Sequence, residues 1–363
     1  MPVEIRRVPV PDRLGGADAV EFESFVEVAR QLEAASWGHE DFAVTPADAL
    51  AHHRNQSFRA QAGFVAWDAD RAVGRAEMWW ERADGKVAEV SLGVLPSYRR
   101  RGIGTRLLES VEEFATQQGR PDLIVYSDHP ARMLPDTGEV LTAPAGDAEL
   151  PAAVPAARFA AAQGYTLSQL ERVSSLDITG RRDELSLELE ALRRETPGYR
   201  VEVWVDRTPD ALVDAYAAAR EHMVRDVPSG GHAFDEERWN AARVREHETA
   251  DLDGGTGLLV AAAVSADGEV AGYTELELPE GRPFAYQSDT LVVRRHRGHR
   301  LGMLVKLANL VALAEREPDR TRIHTWNADE NEHMLAINIA LGFRPTGLEA
   351  AWSRGGTPQP AGR

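Results

Sequence analysis

Strands and helices are written into the spacing of apolar residues. Alternation with a period of two, or a short unbroken apolar run, predicts strands at 3–10, 63–68, 72–80, 87–95 and 122–126. A period near 3.6 predicts a helix over 19–35, where Phe22, Phe25, Val26, Ala29 and Leu32 share one stripe. A second helical stripe runs through Leu107, Leu108, Val111 and Phe114. Between them Thr45-Pro46 offers an N-cap and a first-turn proline for a short helix. Residues 127–155 are rich in Pro, Gly and Ala, carry neither period, and are expected to form a loop. A short helix over 156–163 and one or two closing strands over 166–178 complete the first half.

A charged helical stretch, 181–194, is stopped by Thr196-Pro197-Gly198 and reads as a connector. The order then restarts. A strand at 199–205 is followed by helices at 209–224 and 234–248, separated by a Pro/Gly loop at 226–233. Strands follow at 258–264 and 270–278. The apolar run Thr290, Leu291, Val292, Val293 leads through a basic turn into a helix with Leu301, Leu304, Val305, Leu307, Ala308 and Val311 on one face. A strand at 322–326, a helix at 329–341 and a last strand to about 353 precede a tail expected to be disordered. Gly104 and Gly302 lie 198 residues apart (302 − 104), and Gly164 and Gly342 lie 178 apart (342 − 164). The insertion after Tyr126 absorbs the difference. Shared order at this period means a duplicated domain: units 1–179 and 199–354, a helical linker at 180–198 and a tail at 355–363.

Composition narrows the function. A chain of 363 residues, 43% hydrophobic and 27% charged, is an ordinary multidomain globular protein. No apolar run approaches a membrane span, and MPVEIRRVPVPD lacks a signal-peptide core, so a cytoplasmic protein with no membrane partner is expected. Without cysteine there is no disulfide, thiolate catalyst or cysteine-ligated metal. The 11 histidines show no HExxH spacing, so no metal is expected. A net charge of −17 argues against a nucleic-acid partner and suits a cationic substrate such as an amine. Monomer and homodimer both stay open.

Against that acidic background the two basic turns stand out. Arg99-Arg100-Arg101-Gly102-Ile103-Gly104 and Arg297-Gly298-His299-Arg300-Leu301-Gly302 each follow an apolar strand and open a helix. Unpaired N–H groups and the positive end of the helix dipole make such a place a phosphate seat, to which Arg and His add charge. There is no GxxxxGK[ST] for a nucleotide P-loop, and Gly102-x-Gly104 lacks the third glycine of a dinucleotide fingerprint.

In this setting the chain resembles the GNAT acyltransferase family, as a tandem pair. The family's signature is Gln/Arg-x-x-Gly-x-Gly/Ala. Residues 99–104 match it fully, and 297–302 match with Arg300 in place of the first glycine. Asn331-Glu332-His333-Met334, Asn338 and Leu341-Gly342-Phe343 fit the family's downstream frame, of which the first half keeps Gly164-Tyr165. The resemblance covers about 350 residues. It implies a mixed α/β sheet in each of two acyl-CoA N-acyltransferase domains, and transfer of an acetyl group from acetyl-CoA to a small-molecule amine by direct attack in a ternary complex. The alternative is a CoA-sensing or assembly protein on degenerate domains.

What the resemblance implies for residues is as follows. Coenzyme A would lie on Arg99, Arg100, Arg101, Gly102, Ile103 and Gly104 in one half, and on Arg297, Gly298, His299, Arg300, Leu301 and Gly302 in the other. Backbone at Leu92 and Val94, or at Leu291, Val292 and Val293, would hold the thioester oxygen, and Asn331 would touch the CoA arm or simply start a helix. An ammonium cannot attack, so a base is needed. Asp289 and Glu275 are the preferred candidates, with Glu277 behind them and Glu77 and Glu89 in the first half. Asn338 stands where the family usually has its acidic tyrosine, with Ala160 in the first half. Trp326 and Asn327 end a strand where acceptor and cofactor would meet. His222, Met223, Arg225, Asp226 and Trp239 would roof the acceptor, and Trp79-Trp80 would pack. The second half, 199–354, is the preferred catalytic one, and Arg300 must point outward or reach the cofactor.

Overall fold

A computed structural model describes residues 3–83, 85–135, 137–223 and 238–354. The first repeat runs β1 (Glu4–Arg7), α1 (Val20–Trp37), α2 (Pro46–Arg54), β2 (Arg59–Asp68), β3 (Arg71–Glu81), β4 (Val87–Val94), α3 (Ile103–Gln117) and β5 (Asp122–Pro130). A small hairpin, β6 (Val140–Thr142) and β7 (Glu149–Pro151), leads to α4 (Pro155–Ala162) and β8 (Thr166–Asp177). Helix α5 (Arg182–Glu195) connects to the second repeat: β9 (Tyr199–Val205), α6 (Val213–Arg220), α7 (Ala241–Asp253), β10 (Thr256–Ser265), β11 (Val270–Pro279) and β12 (Phe284–Val292). It ends with α8 (Leu301–Arg316), β13 (Arg322–Ala328), α9 (Glu332–Leu341) and β14 (Arg344–Ser353).

Both repeats share one mixed sheet, in the order β1-β2-β3-β4-β5-β14-β8-β13-β12-β11-β10-β9. The last strands have traded places. β14, from the end of the chain, pairs with β5 of the first repeat, and β8 pairs with β13 of the second. β14 and β8 also pair with each other, which joins the halves. The cores follow the exchange. Ile103, Leu107, Leu108, Val111 and Ala115 of α3 pack under β2 to β5 together with Ala350 and Trp352 of β14. On the other side, Leu176 of β8 packs with α8. That helix is buried nearly all round along its middle because α5 covers its outer face, so Lys306 and Asn309 there are buried too. Asn309 donates to Leu259 O at 3.0 Å. Lys306, 1% exposed, has only the Phe343 ring, 5.7 Å away, and no hydrogen bond or ion pair among the described residues.

Parallel pairing of β4 with β5 stops at Ser91 and Tyr126, and that of β12 with β13 stops at Gln287 and Thr325. Beyond those points each pair of strands parts, because β5 carries on alongside β14 and β13 alongside β8. Two clefts open in the sheet, one per repeat.

Three expectations change. Residues 127–155 are not all loop: β5 continues to Pro130, and the β6–β7 hairpin follows. Pro and Gly mask such short strands, which are held by tertiary bonds, as where Asp329 accepts from the N–H of Asp147 (2.5 Å) and Ala148 (2.6 Å). The last helix begins at Glu332 because the Asn331 side chain accepts from Met334 N at 3.2 Å and caps it. Likewise α7 starts at Ala241, capped by Asn240 on Arg243 N at 2.9 Å, while 234–237 lie outside the described residues.

Candidate active site

The two basic turns have the same backbone. In the first, Arg100 and Gly102 take left-handed φ of 63° and 78°; in the second, Gly298 and Arg300 take 84° and 56°. The left-handed positions coincide, and each copy holds one with glycine and the other with arginine. The arginine in the family's glycine position therefore leaves the turn intact, at the cost of a left-handed side-chain residue. Arg300 points outward and pairs with Glu195 at the end of α5. Arg99 donates Nε to Val94 O at 3.0 Å, and Arg297 donates Nε to Val292 O at 3.2 Å, another shared detail. The charge around them differs. Arg295 and His296 contact Glu269, whereas among the described residues Arg99, Arg100 and Arg101 have no carboxylate partner. A Cβ on Gly102 would meet nothing within 4 Å, so a ligand can reach the backbone at the start of α3. Gly104 and Gly302 serve packing instead. A Cβ there would lie 3.3 Å from the Phe159 ring of α4 or 3.0 Å from Ile337 of α9.

At the backbone proposed to hold the thioester oxygen, Leu291 and Val293 are buried, Val292 is half-buried, and Val293 N–H already donates to Ala271 O at 2.9 Å. In the first repeat Leu95 N–H donates to Val73 O at 2.9 Å, while Leu92 and Val94 lie just beyond the last β4–β5 pair.

The mouth of the first cleft is acidic. Glu349 of β14 stands directly opposite Asp128 of β5 and Glu171 of β8, a row of three carboxylates across adjacent strands. Glu33 of α1 faces Asp128 from above, with one oxygen buried and without a hydrogen bond, and Glu89 of β4 accepts from Tyr126 OH at 3.0 Å. Asp128 reaches solvent; Glu171 and Glu349 are half-buried behind it. Desolvation, with mutual repulsion, raises Glu33 to about 8 and Glu349 well above the usual carboxylate range. Desolvation raises Asp128 to about 6, and desolvation with Glu330 and Glu89 raises Glu171 to about 7. Tyr126 stacks on Trp79 at 6.2 Å, so Trp79 floors this mouth, while Trp80 packs on Phe114 in the core.

The carboxylates singled out in the second repeat sit elsewhere. Gly74 pairs with Val94 as Gly272 pairs with Val292, so Glu77 and Glu275, each three residues on, are equivalent. Both are locked to cations. Glu77 is 2.9 Å from His53 Nε2 and also holds Arg75, which keeps its carboxyl at about 2 despite burial. Glu275, 3% exposed, accepts from Arg220 Nη1 at 2.6 Å and from Tyr216 OH. There burial outweighs Arg220 and raises it to about 7. Arg220 Nη2 also reaches Asp289 at 3.4 Å, as does Tyr273 OH at 3.3 Å. The two candidate bases, buried Glu275 and half-buried Asp289, are thus one linked unit under α6, with Trp239 3.8 Å above the guanidinium. Glu277 is also raised, by desolvation first. Asn338 is 3% exposed and donates to Asn327 Oδ1 at 2.5 Å, leaving its own Oδ1 buried and unbonded. An orphaned acceptor between α9 and the cleft fits the amide N–H of a pantetheine arm. Asn331, by contrast, spends its side chain on the cap. His222 and Met223 are half-buried after α6, and Arg225 and Asp226 lie outside the described residues.

Sequence reasoning missed Glu33, Asp128, Glu171 and Glu349. Glu349 lies between the apolar Leu348 and Ala350, and Glu171 between Leu170 and Arg172, but nothing in the sequence indicates that their strands adjoin.

With this geometry in hand, the comparisons agree on the class. Residues 23–133 match the family model described as Acetyltransferase (GNAT) family. Among solved structures, a tandem GNAT protein from the clavulanic acid biosynthesis pathway aligns with TM-score 0.71 and 26% identity, over 98% of this chain and 100% of its own. A GCN5-related N-acetyltransferase from Sphaerobacter thermophilus aligns with TM-score 0.61 and 16% identity over 98% of each chain. The Saccharomyces cerevisiae N-myristoyltransferase with bound myristoyl-CoA aligns at TM-score 0.56 and 9% identity, over 98% of this chain and 84% of its own, a likeness of fold alone. No curated protein matches the sequence. The first repeat thus matches the GNAT acetyltransferase family model, and the chain as a whole is similar to a tandem GNAT protein.

Proposed function

We propose that this protein is an N-acetyltransferase that moves an acetyl group from acetyl-CoA to a primary amine of a small, multiply cationic molecule, and that transfer takes place in the first repeat rather than the second. The observation that carries this reading is the Asp128–Glu349–Glu171 row at the mouth of the first cleft. Like charges placed directly opposite destabilise a sheet unless something positive lies among them. The same cleft adjoins the turn whose three arginines have no carboxylate partner among the described residues, and it lies in the repeat matched by the family model.

Residues 100–104 would seat the pyrophosphate on the N-terminus of α3, and the pantetheine arm would pass where β4 and β5 part. The ammonium of the acceptor binds against the carboxylate row. Glu89, oriented by Tyr126, takes its proton, and the neutral amine attacks the thioester carbonyl. A C–N bond forms, the C–S bond breaks, and the thiolate takes a proton from solvent. Backbone N–H groups near Leu92 and Val94 would meet the developing oxyanion.

Steady-state kinetics with acetyl-CoA and spermidine tests the reading. Glu349→Gln is expected to raise KM for spermidine about tenfold with acetyl-CoA affinity unchanged, the loss of one close charge pair. Glu89→Gln is expected to lower kcat instead. Unchanged kinetics in both variants would sink the assignment to this cleft.

A further inference from the structure

The second cleft carries a different kind of mouth, and the first repeat fills it. The segment between α1 and α2 crosses to the second repeat, where His39 stacks on His324 at 6.2 Å and Asp41 makes the polar contacts. Its backbone oxygen accepts from Tyr286 OH; its carboxylate accepts from Arg322 Nη2 at 2.9 Å and lies 3.2 Å from His324 Nε2. His324 is fixed in turn by Ser175 Oγ, 2.7 Å from its Nδ1. So anchored, the neighbouring Phe42 lays its ring 5.1 Å from Trp326, 4.8 Å from His324 and 6.4 Å from Tyr286.

Position gives this contact its meaning. Tyr286 and Trp326 flank the last β12–β13 pair, Gln287 and Thr325, where that cleft opens. Around the matching last pair of the first repeat, Ser91 and Tyr126, stand Glu89 and the solvent-reaching Asp128. One mouth is open and charged; the other is occupied by an aromatic ring on a salt-bridged strap. Phe42, Tyr286 and Trp326 belong to none of the four hydrophobic cores formed by the described residues, so core packing does not account for the contact. The cofactor side of the second cleft is a separate matter: its turn keeps the left-handed geometry, and Asn338 Oδ1 waits for a donor.

We propose that Phe42, latched by Asp41, excludes an acceptor from the second cleft, so that the second repeat holds acetyl-CoA without transferring its acetyl group. The proposal rests on the reading of the fold as an acetyl-CoA acyltransferase, and goes beyond it by giving the second repeat a binding role and naming the residue that confines it to that role.

The test uses the full chain with its first mouth disabled by Glu89→Gln and Glu349→Gln. Isothermal titration with acetyl-CoA and thiol release with phenethylamine and spermidine are measured together. Two acetyl-CoA per chain and only residual transfer are expected in this background. Adding Phe42→Ala is expected to raise transfer at least tenfold with the stoichiometry unchanged, and Arg297→Glu is expected to abolish the gain and lower the stoichiometry to one. Asp41→Asn, which loosens the latch but keeps the ring, should produce a smaller gain and serves if Phe42→Ala does not fold. No gain in either variant while two acetyl-CoA stay bound overturns the latch. Only one acetyl-CoA bound before Phe42 is changed overturns the binding role of the second repeat, whatever the first repeat does.

Discussion

Glu349, in the middle of β14, stands directly opposite Asp128 of β5. Desolvation raises both carboxyls above their unfolded values, and raises Glu171 and Glu33 with them; repulsion adds to it at Glu349, Glu171 and Glu33. An acid whose folded pKa is raised is most stabilising when protonated, so stability is fully present below about 4 and is lost as pH rises through about 6 to 8.

The thermal midpoint is therefore expected to fall between pH 5 and pH 9, and Glu349→Gln should flatten that fall. Calorimetry across the range checks it. A slope that is the same in wild type and variant would remove the row as its cause.

A cation in the mouth should counter the same repulsion. At pH 8, millimolar spermidine is expected to raise the midpoint of the wild type by more than that of Glu349→Gln. Equal shifts in the two proteins would mean that spermidine binds elsewhere.

Arg300 sits at φ 56° where its counterpart is Gly102. Arg300→Gly is expected to stabilise by about 1 kcal/mol, since a left-handed side-chain residue costs about that much and the exposed pair with Glu195 returns little. Urea unfolding measures the difference. A loss of stability would show that the pair outweighs the backbone.

Arg220 holds Glu275 and Asp289 together in the second repeat. Arg220→Met leaves Glu275 buried without its cation and is expected to cost about 3–5 kcal/mol. Arg220→Met with Glu275→Gln should recover much of that loss in the same urea assay.

Lys306 is a buried amine with no hydrogen bond or ion pair among the described residues, and burial lowers its pKa to about 7. Between about 7 and 10.5 the unfolded chain binds the extra proton, so this group's contribution makes stability rise with pH in that window. Lys306→Met is expected to gain on the order of 3 kcal/mol at pH 6, and less at pH 10, by denaturant titration at both values.

The sequence displayed what is local. Residues 99–104 and 297–302 announced two phosphate turns, because a turn's chemistry lies in consecutive residues. The helix through Leu107 and Val111 and the paired strands were legible from their periods. The acidic mouth was not, since Asp128, Glu171 and Glu349 come from three distant strands and meet only through the strand exchange. Glu275 and Asp289 were legible as carboxylates, but not the Arg220 that binds both, which lies on a helix whose pattern says only that one face is apolar. Arg300 looked disruptive in sequence because the glycine relocated to 298 was not recognised as its compensation.

The exchange of β8 and β14 also orders events at the ribosome. Synthesis is vectorial, yet β5, already paired with β4, gains its second neighbour only when residues 344–353 have emerged, long after the rest of the first repeat is made. During that interval the nascent chain carries an unpaired β5 edge, a template for pairing with another copy. A pause in translation between residues 130 and 344 would lengthen that exposure.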